Sequence, residues 1–104
     1  VRQIYVLVDN HFKEKKMVQD YANMLHRSPK TLSNLFTTCG LPSPLRIIHE
    51  RIEAEAKRLL LYSQKSAKEI TEILGFEDQA TFSRFFKKRT GESVSEYRKR
   101  EKQE

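Results

Sequence analysis

The sequence predicts an all-α chain of about seven helices, arranged as two similar helical halves joined by one long central helix. Three observations predict it. Only three glycines and three prolines interrupt the 104 residues, and they fall between segments whose apolar residues recur at three and four, the period of an amphipathic helix. Cap-then-proline and capping-box signals open most of those segments. The plan of one pair of segments also recurs about fifty residues further along the chain.

The elements follow in order. Ile4, Leu7, Val8 and Phe12 mark a first helix. Ile4 to Val8 is β-branched enough to read as a strand, but Phe12 continues the helical stripe and no partner strand appears later. Val18, Tyr21, Ala22 and Leu25 mark a second helix, which His26 and Arg27 close with a turn. Ser28 is an N-cap with Pro29 at the first helical position, where a missing N–H costs nothing. Leu32, Leu35, Phe36 and Cys39 give this third helix an apolar face, which predicts a buried thiol. Ser43-Pro44 repeats the cap signal and opens a fourth helix, with Leu45, Ile48, Ile52, Ala56 and Leu59 as one stripe running to about Tyr62. Ser66 and Glu69 form a capping box before Ile70, Ile73 and Leu74, and Gly75 ends that helix. Asp78 caps a sixth helix whose inner face is Phe82, Phe85 and Phe86 and whose end is Gly91. Ser93 and Glu96 open a last helix that frays into the basic run from Arg98 to Lys102. The predicted division is 1–43 as a first subdomain, 44–62 as the connecting helix, and 63–104 as a second subdomain with a basic tail.

Composition narrows the function. Lysine and arginine total 20 against 14 acidic residues, a net charge of +6 with a pI near 9.6. That balance favours a polyanionic partner, nucleic acid before a membrane surface. Interspersed charge of both signs, 33% of the chain, also suits a merely solvated surface. Cys39 stands alone, so no intrachain disulfide is possible and a reducing compartment is expected. No apolar run approaches the ~20 residues that span a bilayer, and a cytoplasmic location is expected. The absence of an initiator Met predicts a piece of a longer protein. His11, His26 and His49 lie on three different elements without metal-site spacing, so neither a metal nor a cofactor is expected. No Gly-x-Ser-x-Gly, phosphate loop or carboxylate pair accompanies the serines, and no enzymatic activity is expected.

The repeat gives these elements a purpose. Ala22-x-x-Leu25, Ser28 and Leu32-x-x-Leu35-Phe36 parallel Thr71-x-x-Leu74, Asp78 and Phe82-x-x-Phe85-Phe86. Each is a short helix, a tight turn and a capped second helix with one apolar face, the helix-turn-helix pattern written twice. The second helix of such a unit buries one face and leaves the other to enter a groove. Lys30, Thr31, Ser33, Asn34 and Thr37 are exposed by this logic in the first unit. Gln79, Ala80, Ser83, Arg84, Lys87 and Lys88 are exposed in the second. None is acidic, and amide, hydroxyl and basic groups suit base edges and phosphates, Arg84 for guanine, Gln79 and Asn34 for adenine. The rival reading is a helical protein-interaction module, binding duplexes weakly and without sequence preference. A membrane-surface helix ranks third, because Glu50, Glu53 and Glu55 dilute the middle helix's positive face.

Glu55-Ala56-Lys57-Arg58-Leu59-Leu60, Lys68-Glu69-Ile70, Leu74-Gly75-Phe76-Glu77-Asp78-Gln79, Phe82-Ser83-Arg84-Phe85-Phe86-Lys87-Lys88, Gly91 and Glu96-Tyr97-Arg98 together resemble the AraC/XylS family of transcription regulators. The resemblance covers nearly everything from Ile4 to Arg98. It implies a seven-helix domain that binds double-stranded promoter DNA through two recognition helices in successive major grooves, with RNA polymerase a further partner of the whole protein. By position it places base contacts on Lys30, Ser33 and Asn34, then on Gln79, Ala80, Ser83 and Arg84, with phosphate contacts at helix N-termini such as those at Ser28 and Ser66. Lys87 and Lys88 complete the expected DNA-binding set. The chain departs from the family in three places. Gly40 follows Phe36 by four residues where Gly91 follows Phe86 by five, so a differently shaped first loop is expected. Val94 stands where the family often has proline, and Thr71 where alanine is common. Ala80 brings only a methyl to its contact position, which suits a thymine methyl at most.

Overall fold

A computed structural model of the chain describes residues 2–102, with side chains for 2–100. Among the described residues seven α-helices follow one another: α1 Arg2–His11, α2 Val18–Met24, α3 Pro29–Thr38, α4 Pro44–Tyr62, α5 Ala67–Ile73, α6 Gln79–Thr90 and α7 Val94–Lys102. The chain divides into two compact units, one ending at Ile52 and the other beginning at Glu53, so that α4 contributes its first half to one and its second half to the other.

In the first unit Ile4, Val8, Phe12, Tyr21, Ala22, Leu32, Phe36, Ile47, Ile48 and Ile52 are buried. Each large side chain among them contributes about 1.5–3 kcal/mol by leaving water. Tyr21 is fully covered, and its hydroxyl donates to the Lys15 carbonyl at 2.6 Å. Burial, then the nearby Asp20 and Glu14 charges, push its phenol up to about 12. The Arg51 guanidinium lies 4.3 Å from the centre of the Phe12 ring and donates to Asp9 at 2.8 Å, joining α4 to α1.

The second unit buries Ala56, Leu59, Leu60, Ile70, Leu74, Phe82, Phe86, Val94 and Tyr97. Phe86 meets Tyr97 edge-on at 5.4 Å, and Phe76 packs 5.4 Å from both Phe82 and Phe85, spacings at which aromatic pairs attract. The C-terminus of α4 has no basic residue in its own last turn. Arg98 from α7 serves there instead, donating to the carbonyls of Leu60 at 3.1 Å and Ser63 at 3.5 Å, where a helix dipole favours a cation.

Four expectations need correction. Cys39 is exposed, because α3 ends at Thr38 and leaves Cys39 as its C-cap, outside the packed turns. Of the expected α4 stripe, Ile48, Ile52, Ala56 and Leu59 are buried but Leu45 is 43% exposed, and Ile47 and Leu60 are buried beside it; each half of α4 answers to its own unit, so the buried face is wider than one stripe. The basic run expected as a frayed tail is helical to Lys102, and the side chains of residues 101 and 102 lie outside the described residues. The last correction concerns Arg98 and Arg100, which are not merely tail cations. Arg98 binds the α4 carbonyls, and Arg100 grips Glu92 with two bonds of 2.9 and 2.8 Å.

Candidate nucleic-acid interface

Each unit holds its second helix by the same device. Arg27 N–H donates to the Ala22 carbonyl at 2.9 Å and Phe76 N–H to the Thr71 carbonyl at 3.1 Å, closing α2 and α5 with the same wide turn. Gly75 enters it at φ 77 and His26 at φ 58, so a histidine holds the left-handed position that glycine holds in the other unit. Ala22 and Thr71 are both buried, small enough for a helix to pass close by. The Thr71 hydroxyl donates to the Ala67 carbonyl at 2.7 Å, which satisfies the group that alanine would not have.

The following helix then starts at a side-chain cap. The Ser28 hydroxyl oxygen accepts from Thr31 N–H at 3.1 Å, and the Asp78 carboxylate from Thr81 N–H at 2.8 Å. That backbone bond, with the Thr81 hydroxyl behind it, holds the Asp78 carboxyl below its usual range. The other serine caps are bonded as well: Ser43 to Arg46 N–H at 3.2 Å, Ser66 with Glu69 and Ser93 with Glu96.

At about 100° per residue, Leu32 and Phe36 point α3 inward, and Lys30, Ser33, Asn34 and Thr37 fall on the far side. All four are exposed. In α6, Phe82 and Phe86 are buried and Phe85 half-buried, which turns these rings into core rather than a stacking platform. Ala80, Arg84, Lys87 and Lys88 are exposed and Ser83 is half-buried on the opposite side. Gln79 is exposed at the first position of the helix. The structure therefore puts Lys30, Ser33 and Asn34 on one outward face and Gln79, Ala80, Ser83, Arg84, Lys87 and Lys88 on another.

Neither α3 nor α6 contains an acidic residue, so each outward face suits a polyanion. The faces differ in chemistry. In α3 the hydroxyls of Thr37 and Thr38 donate to the Ser33 and Asn34 carbonyls at 3.0 and 2.9 Å, and Lys30 is the helix's only cation. In α6 the last turn carries Lys87, Lys88 and Arg89 in succession. The two ends are shaped differently too. Gly40, at φ 70, follows the Cys39 cap, whereas Gly91, at φ 82, is itself the cap of α6.

One contributor escapes a reading by spacing. Arg89 turns away from Lys87 and Lys88 and donates to Glu53 on α4 at 3.0 Å, and Lys57 meets the other Glu53 oxygen at 2.9 Å. Thirty-six positions separate Arg89 from Glu53, too far for any helical spacing rule to pair them. Among the described residues no group of three His, Cys, Asp or Glu side chains could hold a metal ion. No helix among them is long and apolar enough to cross a membrane.

Comparison with known proteins agrees with this architecture. Residues 21–100 match the helix-turn-helix domain family. The chain is 36% identical over 92 residues to the arabinose operon regulatory protein of Salmonella typhimurium, covering 88% of this chain and 31% of that protein. It superimposes on the C-terminal domain of AraT, a response regulator from Geobacillus stearothermophilus, with a TM-score of 0.82 at 29% identity, over 94% of this chain and 82% of the other. The fold is shared with the DNA-binding domain of AdpA, solved in complex with a target DNA, at a TM-score of 0.80 and 24% identity, over 93% and 87% of the two chains. The chain spans about a third of the length of the curated relatives it matches.

Proposed function

The chain belongs to the AraC/XylS-type helix-turn-helix family, and from that membership we propose that it is the DNA-binding part of a transcription regulator, reading double-stranded DNA with α3 and α6 in successive major grooves. The observation that carries this reading is the pair of capped helices whose outward faces lack any carboxylate. Lys30, Ser33 and Asn34 read the first half-site, Gln79, Ala80, Ser83 and Arg84 the second, while Lys87 and Lys88 neutralise phosphates. Residues 1–43 act as one reader, 44–62 as the connector, and 63–104 as the other reader with its basic tail. The protein works in the cytoplasm, and in the whole regulator RNA polymerase is a further partner.

The experiment is a selection from randomised duplex DNA, followed by titration of the selected site. Half-sites are expected about 10–10.5 bp apart. Inserting about half a turn between them is expected to lower affinity toward that of one unit. A shuffled duplex bound as tightly as the selected one at ~0.15 M salt would support a protein-interaction module instead. Equal affinity after the insertion would leave only one helix reading DNA.

A further inference from the structure

The three cations that close α6 do not have the same work. Lys87 and Lys88 are exposed, whereas the Arg89 side chain is 27% exposed and Glu53 18%. Burial alone would push the Glu53 carboxyl up. The hydrogen bonds and charges of Lys57 and Arg89 outweigh it and hold that carboxyl below its usual range, so both of its oxygens remain charged acceptors. A half-buried carboxylate bonded on both oxygens keeps its geometry far better than an exposed pair.

This pair acts where α6 needs it. Phe82 and Phe86 fix the middle of the helix by packing, and the Asp78 cap fixes its start. Beyond Phe86 the helix buries no further side chain, so the packed rings hold its last turn less firmly against roll about the helix axis. Hydrogen bonds to base edges do not tolerate such slack, because they weaken steeply with misalignment. The Arg89–Glu53 bond ties the last turn of α6 to α4 and opposes that roll.

We propose that Glu53 is a positioning residue for base reading: by gripping Arg89 it fixes the roll of α6 beneath Gln79 and Arg84. The inference rests on α6 being a DNA-reading helix.

The test compares wild type, Glu53→Gln, Arg89→Gln and the double variant on the selected and shuffled duplexes across a salt series. Helical circular dichroism and thermal melts check that each is folded. Glu53→Gln is expected to lower the selected-to-shuffled affinity ratio roughly tenfold, about what one misplaced base contact costs. Arg89→Gln should lower the ratio similarly, and the double variant should lose no more discrimination than either single change. Arg89→Lys keeps the charge with a less directional donor and should fall between wild type and Arg89→Gln, which covers the case in which Glu53→Gln does not fold. Amide exchange in the last turn of α6 should quicken in both single variants. A folded Glu53→Gln that keeps its ratio within twofold, losses that add in the double variant, or unchanged exchange would overturn the positioning role with the DNA-reading function intact. A wild-type chain that does not discriminate between the duplexes would overturn both.

Discussion

Replacing Arg84 by alanine separates base reading from folding, because the side chain does little for the fold. It is exposed, and its guanidinium stands 3.5 Å from the Thr81 hydroxyl, the outer limit of a hydrogen bond. Its removal should change stability by no more than ~0.5 kcal/mol, as for most surface substitutions. A bidentate contact to guanine is worth ~1–3 kcal/mol of discrimination, which is about 5- to 160-fold in affinity. The loss should appear as a flattened preference at one base pair, with the other positions unchanged. Lys88→Ala is the contrasting perturbation: a lost phosphate contact weakens every sequence and makes the salt slope shallower by ~0.9. Between 0.05 and 0.2 M salt that shrinks its penalty about 3.5-fold. The assay is a fluorescence anisotropy titration against the selected duplex and a panel of single-base variants, repeated at both salt concentrations. Unchanged preference at every position in a folded Arg84→Ala chain would refute the assignment.

Phe82→Ala removes a fully buried ring and should destabilise by ~3–5 kcal/mol, seen as an earlier denaturant midpoint before any binding defect can be measured. Gly91→Ala meets no atom within 4 Å of the new methyl, so its cost is the left-handed backbone alone, ~1–2 kcal/mol less ~0.4–1 kcal/mol returned through the unfolded chain. A melt showing no loss would disprove that account. Acid should destabilise the chain. Glu69 and Glu96 are held below their usual range first by the backbone N–H of Ser66 and of Ser93, and Asp78 by that of Thr81. Carboxyls lowered in the folded state lend stability that is full above the unfolded values of about 4 and is lost as pH falls through the folded ones. The thermal midpoint should therefore hold from pH 7 to about 5.5 and drop below about 4, and a flat profile to pH 3 would contradict the capping account.

What could be read from the sequence was whatever depends on near neighbours. Ser28, Ser43, Ser66, Asp78 and Ser93 are caps because a short polar side chain reaches an N–H three residues ahead, and that geometry is complete within one turn. Phe82 and Phe86 are core because four residues put them on one side of α6. Spacing says nothing about where a helix stops, which is why Cys39 continues the stripe of α3 on paper and stands exposed at its cap in the fold. It is equally silent on a helix shared by two cores, hence Ile47 inside and Leu45 out. Nor can it show that His26 takes a glycine's conformation, since the neighbouring bonds from Arg27 and Leu25, not its side chain, impose that backbone. The outward faces of α3 and α6 were legible, but the partners of Arg89, Arg98 and Arg100 required the folded chain.

Those partners change what a net charge of +6 means. Arg89 answers Glu53, Arg98 the end of α4, and Arg100 Glu92, so these cations hold the fold and offer little to a phosphate. The outward charge that remains on the two reading helices is uneven: Lys30 on α3 against Arg84, Lys87 and Lys88 on α6. On the proposed reading the two half-sites are bound by different physics. Attraction between α6 and phosphates is Coulombic and fades with salt. At α3 Lys30 is a lone cation and the directional work falls on Ser33 and Asn34, since Thr37 and Thr38 already donate to their own helix. An amide paired with adenine is directional and nearly indifferent to ionic strength. Raising salt therefore weakens the grip of the second unit on any sequence faster than it weakens discrimination by the first, and selectivity outlasts affinity.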